Sequence, residues 1–177
     1  MRNRRTCAPR TAAYQRFSFG VAAYRDDDGG PSVTTKRDTT ARCEDVWNVL
    51  ADGWSYAMWV VGASRIRAVD AAWPAPGSVI HHSVGAWPLV LSDITRSVAV
   101  HENRELQLEA RAMPFGRASI TVRLHPTATG CTIEMIEHAS TPPFELVPNR
   151  VQHALSHPRN SEALRRLALL AERASNP

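Results

Sequence analysis

Between residues 161 and 173 the apolar positions Leu164, Leu167, Ala168 and Ala171 recur at i, i+3, i+4 and i+7, while Glu162, Arg165, Arg166 and Glu172 take other faces. That spacing lays one apolar stripe along a helix. Val151, Ala154 and Leu155 carry the pattern back towards Pro148. Pro158 lacks a backbone donor and disfavours helix at His157, so a kink or a fresh start is expected there, with Asn160 as N-cap if it is a start. A helix of roughly 25 residues over 148–175 would run about 37 Å at 1.5 Å per residue. It needs a partner of similar length.

From Ser64 onward the period falls from 3.6 to 2. Residues 65–69, 78–84, 89–100, 105–112, 116–124 and 131–138 read as strands separated by short breaks rich in Pro, Gly, Asn or Thr. Alternation is cleanest in two of them. Leu106, Leu108, Ala110 and Ala112 alternate with Glu105, Gln107, Glu109 and Arg111, and Ala118, Ile120, Val122 and Leu124 alternate with Arg117, Ser119, Thr121 and Arg123. One face is wet and one dry, as an antiparallel sheet permits. Residues 32–39 supply a first strand. Thr40 then caps a short helix in which Cys43, Val46, Trp47 and Leu50 share a side, Asp52-Gly53 ends it, and residues 56–60 make a second turn of helix. Seven strands in a meander leave a dry face that only the C-terminal helix is long enough to cover.

The chain of 177 residues is sized for one domain, and no apolar run approaches the roughly 18 residues of a membrane span. Residues 1–31 hold six Arg against three Asp, whereas residues 32–177 hold 15 basic and 14 acidic groups. The folded part is nearly neutral, so the basic pI is no nucleic-acid footprint. Arg16 interrupts any secretory h-region. Residues 1–31 are therefore expected to be a disordered extension, either the product of an upstream start codon or, as the weaker option, a targeting peptide, and residues 32–175 the domain. The three cysteines, Cys7, Cys43 and Cys131, have neither CxxC spacing nor an even count. They predict free thiols in a reducing, cytoplasmic compartment, with Cys131 a small core residue.

Particular stretches carry a resemblance: Glu44-Asp45-Val46-Trp47-Asn48-Val49-Leu50-Ala51-Asp52 with Trp59, Trp73-Pro74-Ala75-Pro76-Gly77-Ser78, Trp87-Pro88-Leu89, Gly130-Cys131-Thr132-Ile133-Glu134-Met135 with Glu137, and Arg159-Asn160-Ser161-Glu162-Ala163-Leu164-Arg165-Arg166-Leu167. With the order of elements they resemble the START-like (SRPBCC) superfamily, most closely its bacterial and especially actinobacterial polyketide cyclase/dehydrase-like members. The resemblance implies an α+β helix-grip fold, with a seven-stranded antiparallel sheet wrapped on a long C-terminal helix. Between sheet and helix it implies a cavity for a small hydrophobic or amphipathic ligand, lipid or polyketide-like. Such pockets are typically about 300–1,000 Å³. The alternatives are a polyketide cyclase/dehydratase using acid/base residues in that cavity, and a protein-interaction module whose cavity is filled.

Strand parity then nominates residues. If the clean strands turn their apolar sets inward, Cys131, Ile133, Met135 and Glu137 follow, and Glu137 becomes a cavity carboxylate: a general acid/base, a ligand anchor, or half of a rim salt bridge. Asp93 shares parity with Leu91 and is the second candidate. His81 and His82 are adjacent on a strand, so they point to opposite faces and cannot share a metal. One of them faces the cavity, and His82 is taken as the proton-shuttle candidate. The expected lining is Trp59, His82, Leu91, Asp93, Leu108 and Ala110, with Ile120, Val122, Met135, Glu137, Val151 and Leu155. No HxH, HExxH, GxSxG, GxGxxG or GxxxxGK[ST] occurs, so no metal, nucleotide cofactor or covalent hydrolysis is expected. The expected partner is a small hydrophobic molecule, without nucleic acid or stable membrane insertion; a homodimer stays open.

Overall fold

The computed structural model describes residues 32–85, 88, 90–111, 117–139 and 149–175, the side chains of 139, 149–153 and 155 excepted. The expected extension over residues 1–31 lies outside the described residues. The elements follow one another as β1 (Ser32–Thr39), α1 (Cys43–Ala51), a 3₁₀ turn (Gly53–Ser55), α2 (Tyr56–Trp59), β2 (Ala63–Val69), β3 (Val79–Val84), β4 (Leu91–His101), β5 (Glu105–Arg111), β6 (Arg117–Thr127), β7 (Gly130–Ala139) and α3 (Asn149–Ser175).

The period-two segments pair as one antiparallel sheet in the order β1-β7-β6-β5-β4-β3-β2. Strands β2 to β7 are a meander, and β1 closes the far edge by pairing with β7. This is the α+β helix-grip fold. The parity inferred for the clean strands holds: Leu106, Leu108, Val122, Leu124, Ile133 and Met135 are all buried. Against them lie Val46, Trp47 and Leu50 of α1 and Ala163, Leu164, Leu167, Ala168 and Ala171 of α3. Leu164 and Leu167 are fully buried, each contributing about 1.5–3 kcal/mol through apolar area removed from water. The opposite sheet face carries cross-strand ion pairs, Lys36–Glu134, Arg117–Glu109 and Arg123–Glu105.

Three local expectations are corrected. Of the two outcomes expected at Pro158 the fresh start does not occur, since helix α3 continues through it as one element. The hydrogen bond that proline forgoes belongs to Ala154, and both residues are exposed, so water can take that carbonyl. Asn160 is consequently a buried interior residue and no N-cap. The N-cap of α1 is Arg42 rather than Thr40. Thr39 Oγ1 and Thr40 N both donate to Glu172 Oε1 of α3, at 2.6 and 3.3 Å, which commits this corner to α3; Arg42 N then donates to Asp45 Oδ2 at 3.2 Å.

The expectation of free thiols is also overturned. Cys43 and Cys131 form a disulfide across 88 residues, with Cα atoms 5.2 Å apart. Helix α1 and strand β7 both present small inward-facing residues at this corner, and tertiary packing brings the two sulfurs together. A separation of that length leaves no spacing signature in the chain.

Candidate functional site

A partly open cavity of ≈ 160 Å³ is lined by residues of α2, the sheet and α3. Its apolar wall includes Trp59, Val60, Val61, Val84, Leu108, Ala110, Ala118, Ile120, Met135 and Ala163. Trp59, Leu108 and Met135 in this wall are themselves nearly fully buried.

Helix α2 and strands β3 and β4 build a polar pole in this wall. His82 lies across from Asp93, and Ile80 from Thr95, in the β3–β4 pairing. His82, Asp93 and Thr95 therefore share the inner face, and His82, not His81, lines the cavity. Tyr56 arrives from α2, one helical turn before Trp59, with which it makes an edge-to-face contact at 5.4 Å. Tyr56 Oη and Thr95 Oγ1 are 2.8 Å apart, and His82 Nε2 and Thr95 Oγ1 are 3.0 Å apart. One threonine hydroxyl thus joins two rings whose centroids are 5.2 Å apart. His82 is 4% exposed, yet its Nδ1 has no hydrogen-bond partner.

Burial sets the protonation of this pole. Desolvation pushes the Tyr56 hydroxyl up to about 12, against the opposing Thr95 hydrogen bond and with a further upward push from the Asp93 charge. Desolvation also lowers His82 below 6.5, against the pull of the neighbouring Asp93 carboxylate. Both rings are neutral at pH 7. Asp93 Oδ1 accepts from Ile94 N at 2.7 Å. From β2 the Arg67 guanidinium donates to the carbonyls of His82 and Asp93, holding β2, β3 and β4 in register behind the pole.

A second polar group stands where β7 meets α3. Arg159 Nη2 donates to both Glu137 oxygens, and Asn160 Nδ2 donates to Glu137 Oε2 at 2.8 Å. The salt bridge, one of the three roles open to Glu137, is present.

Of the residues nominated from sequence, Trp59, His82, Asp93, Leu108, Ala110, Ile120, Met135 and Glu137 all line the cavity. Leu91 does not. It keeps the parity of Asp93 but sits at the first residue of β4 and is 52% exposed. Val122 is fully buried in the core and touches no cavity space. The side chains of Val151 and Leu155 lie outside the described residues. Sequence reasoning passed over Tyr56, Thr95, Arg159 and Asn160. Thr95 was available from parity, two residues beyond Asp93; Tyr56 shares its helical turn with Trp59, and Arg159 and Asn160 were obscured by the expected break at Pro158. Among the described residues, no three His, Cys, Asp or Glu side chains are grouped to hold a metal ion, and no helix is long and apolar enough to cross a membrane.

Residues 30–172 match the family described as polyketide cyclase / dehydrase and lipid transport. No curated protein gives a sequence match. Among solved structures, the chain is similar to protein NE0264 of Nitrosomonas europaea, with TM-score 0.67 and 16% identity over 85% of this chain and 99% of that one. It is similar to the di-domain ARO/CYC StfQ from the steffimycin biosynthetic pathway, with TM-score 0.67 and 9% identity over 83% of this chain and 52% of that one. It is similar also to Ara h 8.0201, with TM-score 0.57 and 11% identity over 80% and 97% of the two chains. At these identities the likeness is one of fold.

Proposed function

The chain belongs to the polyketide cyclase / dehydrase and lipid transport family, and from that membership we propose that it binds a small apolar or amphipathic molecule between its sheet and its C-terminal helix. The supporting observation is an apolar cavity with the rings of Tyr56 and His82, joined to each other through Thr95, in its wall. Apolar walls supply affinity, and the polar pole supplies orientation.

Native and denaturing mass spectra of the purified protein test this. A discrete apolar mass released on unfolding supports carriage of a ligand. If no mass is released and no apolar probe raises the melting temperature, the proposal fails.

A second reading, a cyclase or dehydratase, is favoured by one observation: a neutral His82 beside the Asp93 carboxylate, facing the cavity. An imidazole in that state is a competent general base, and positioning in a dry cavity would supply most of the rate. Turnover that disappears in His82→Gln while ligand affinity persists identifies catalysis; affinity lost without any turnover identifies carriage. An interaction module with a filled cavity is disfavoured by the space left open. Nucleic acid does not suit the outer sheet face, where bases are matched with acids across strands. As to compartment, the Cys43–Cys131 bond is of a kind that persists in oxidising surroundings, which runs against the cytoplasmic expectation.

A further inference from the structure

On the premise that the cavity binds an amphipathic molecule, the charges in its wall specify what the polar end of that molecule carries. Among the described residues, His82, Asp93, Arg111, Glu137 and Arg159 are the lining side chains that can hold charge near neutral pH. Glu137 and Arg159 meet each other. Arg111 has the strand parity of Glu109 and groups with Arg96, Glu109 and Arg117 on the outer face of the sheet. His82 is kept neutral by burial.

That leaves Asp93, which is 7% exposed and lines the cavity. Its side chain has one hydrogen bond among the described residues, accepted by Oδ1 from Ile94 N at 2.7 Å. It forms no ion pair with them. Arg67 directs its donors to the carbonyls of His82 and Asp93 rather than to the carboxylate, and does not line the cavity. Asp93 Oδ2 has no protein donor and is not sealed from accessible space, unlike His82 Nδ1. The cavity therefore presents a carboxylate oxygen with its acceptor capacity unused and no counter-ion beside it.

A carboxylate only accepts, so a ligand hydroxyl or amine can donate to it and a carbonyl or ether oxygen cannot. A ligand that arrives as an anion is repelled. An ammonium group both donates and supplies the missing opposite charge, and such charge-assisted bonds are about twice as strong as neutral ones. Burial sharpens the preference, because a carboxylate drawn out of water is costly unless a cation accompanies it.

We propose that the cavity selects an apolar molecule with a primary-amine head, its ammonium seated on the Asp93 carboxylate and its hydrocarbon against Trp59, Leu108, Ile120 and Met135.

The test uses the full chain with three probes that differ only at the head: hexylamine, 1-hexanol and hexanoate. At neutral pH the amine is protonated and the acid ionised. Affinity is measured by calorimetry, and the site is read from the amide resonance of Ile94, which donates to the Asp93 carboxylate. Hexylamine is expected to bind about tenfold or more tightly than either other probe and to move the Ile94 resonance. Asp93→Asn, which keeps the shape and an acceptor for Ile94 N, should abolish that advantage while 1-hexanol still binds. Should that variant fail to fold, the wild-type ranking and the Ile94 shift decide alone. If 1-hexanol or hexanoate binds as tightly as hexylamine, if Ile94 does not respond, or if folded Asp93→Asn keeps the preference, the amine assignment is overturned while the ligand-binding function stands. If none of the three binds and 1-decanol also leaves the protein unchanged, both fall.

Discussion

Thr95→Val is the substitution whose consequences follow most directly from the pole. Valine matches threonine in shape, so packing at this fully buried position is retained and only the hydroxyl is removed. Two contacts disappear together, the 2.8 Å bond to Tyr56 Oη and the 3.0 Å bond to His82 Nε2. His82 Nε2 and Tyr56 Oη are then both left without the Thr95 hydroxyl. Leaving two buried polar atoms unsatisfied costs about 1–3 kcal/mol each. Water entering the adjacent cavity recovers part of that, because a water needs only about 30 Å³. The expected loss is about 2–4 kcal/mol. Urea denaturation should show it as a lower midpoint at unchanged slope. Tyr56→Phe removes one of the stranded groups in advance, so the double variant should lose less than the two singles combined, with a coupling of about 0.5–3 kcal/mol. A Thr95→Val protein within about 0.5 kcal/mol of wild type, or an additive cycle, would show that the chain does not exist in solution.

Three further outcomes are expected. Gly130→Ala should destabilise by more than the few tenths of a kcal/mol typical of a surface change, about 1–3 kcal/mol, because the added Cβ would lie 2.9 Å from Thr40 Cα and closer still to Thr39 O, backbone that cannot swing aside; an unchanged melting temperature contradicts this. Thiol titration of the unfolded, unreduced protein should find one reactive sulfur, that of Cys7, where three are found after reduction; three before reduction would refute the Cys43–Cys131 bond. Asp45, Glu134 and Glu172 are held below their ordinary values chiefly by hydrogen bonds from Arg42, Lys36 and Thr39 respectively. Folded carboxylates with depressed pKa contribute stability that is complete above about pH 5 and is lost as pH falls through their folded values. His82, lowered from 6.5 by burial, adds a loss that begins as pH drops below 6.5, since the unfolded chain takes up that proton first. Glu172→Gln should flatten the acid limb of a stability–pH curve and His82→Gln the limb just below neutrality; superimposable curves count against each.

How much of this was legible in the chain depends on the range of the interactions involved. Alternation at period two is imposed locally, by the pleat, and it placed all seven strands to within a few residues and identified the buried faces of β5, β6 and β7. The stripe Leu164, Leu167, Ala168 and Ala171 is likewise local, and it located the helix that the sheet wraps. The same parity carried Asp93 and Glu137 to the cavity wall, and failed for Leu91 because parity says which face a residue is on and not how far along the strand the cover extends. Tertiary structure alone decided the remainder. It chose His82 over His81, because an adjacent pair is symmetric until the strand's neighbours are known. It joined Cys43 to Cys131 and Glu137 to Arg159 and Asn160 across long sequence separations, and set Tyr56, Thr95 and His82 within hydrogen-bond reach from three different elements. It also placed Tyr56, His82, Asp93 and Glu137 in the wall of one cavity, because that wall is built from elements far apart in the chain.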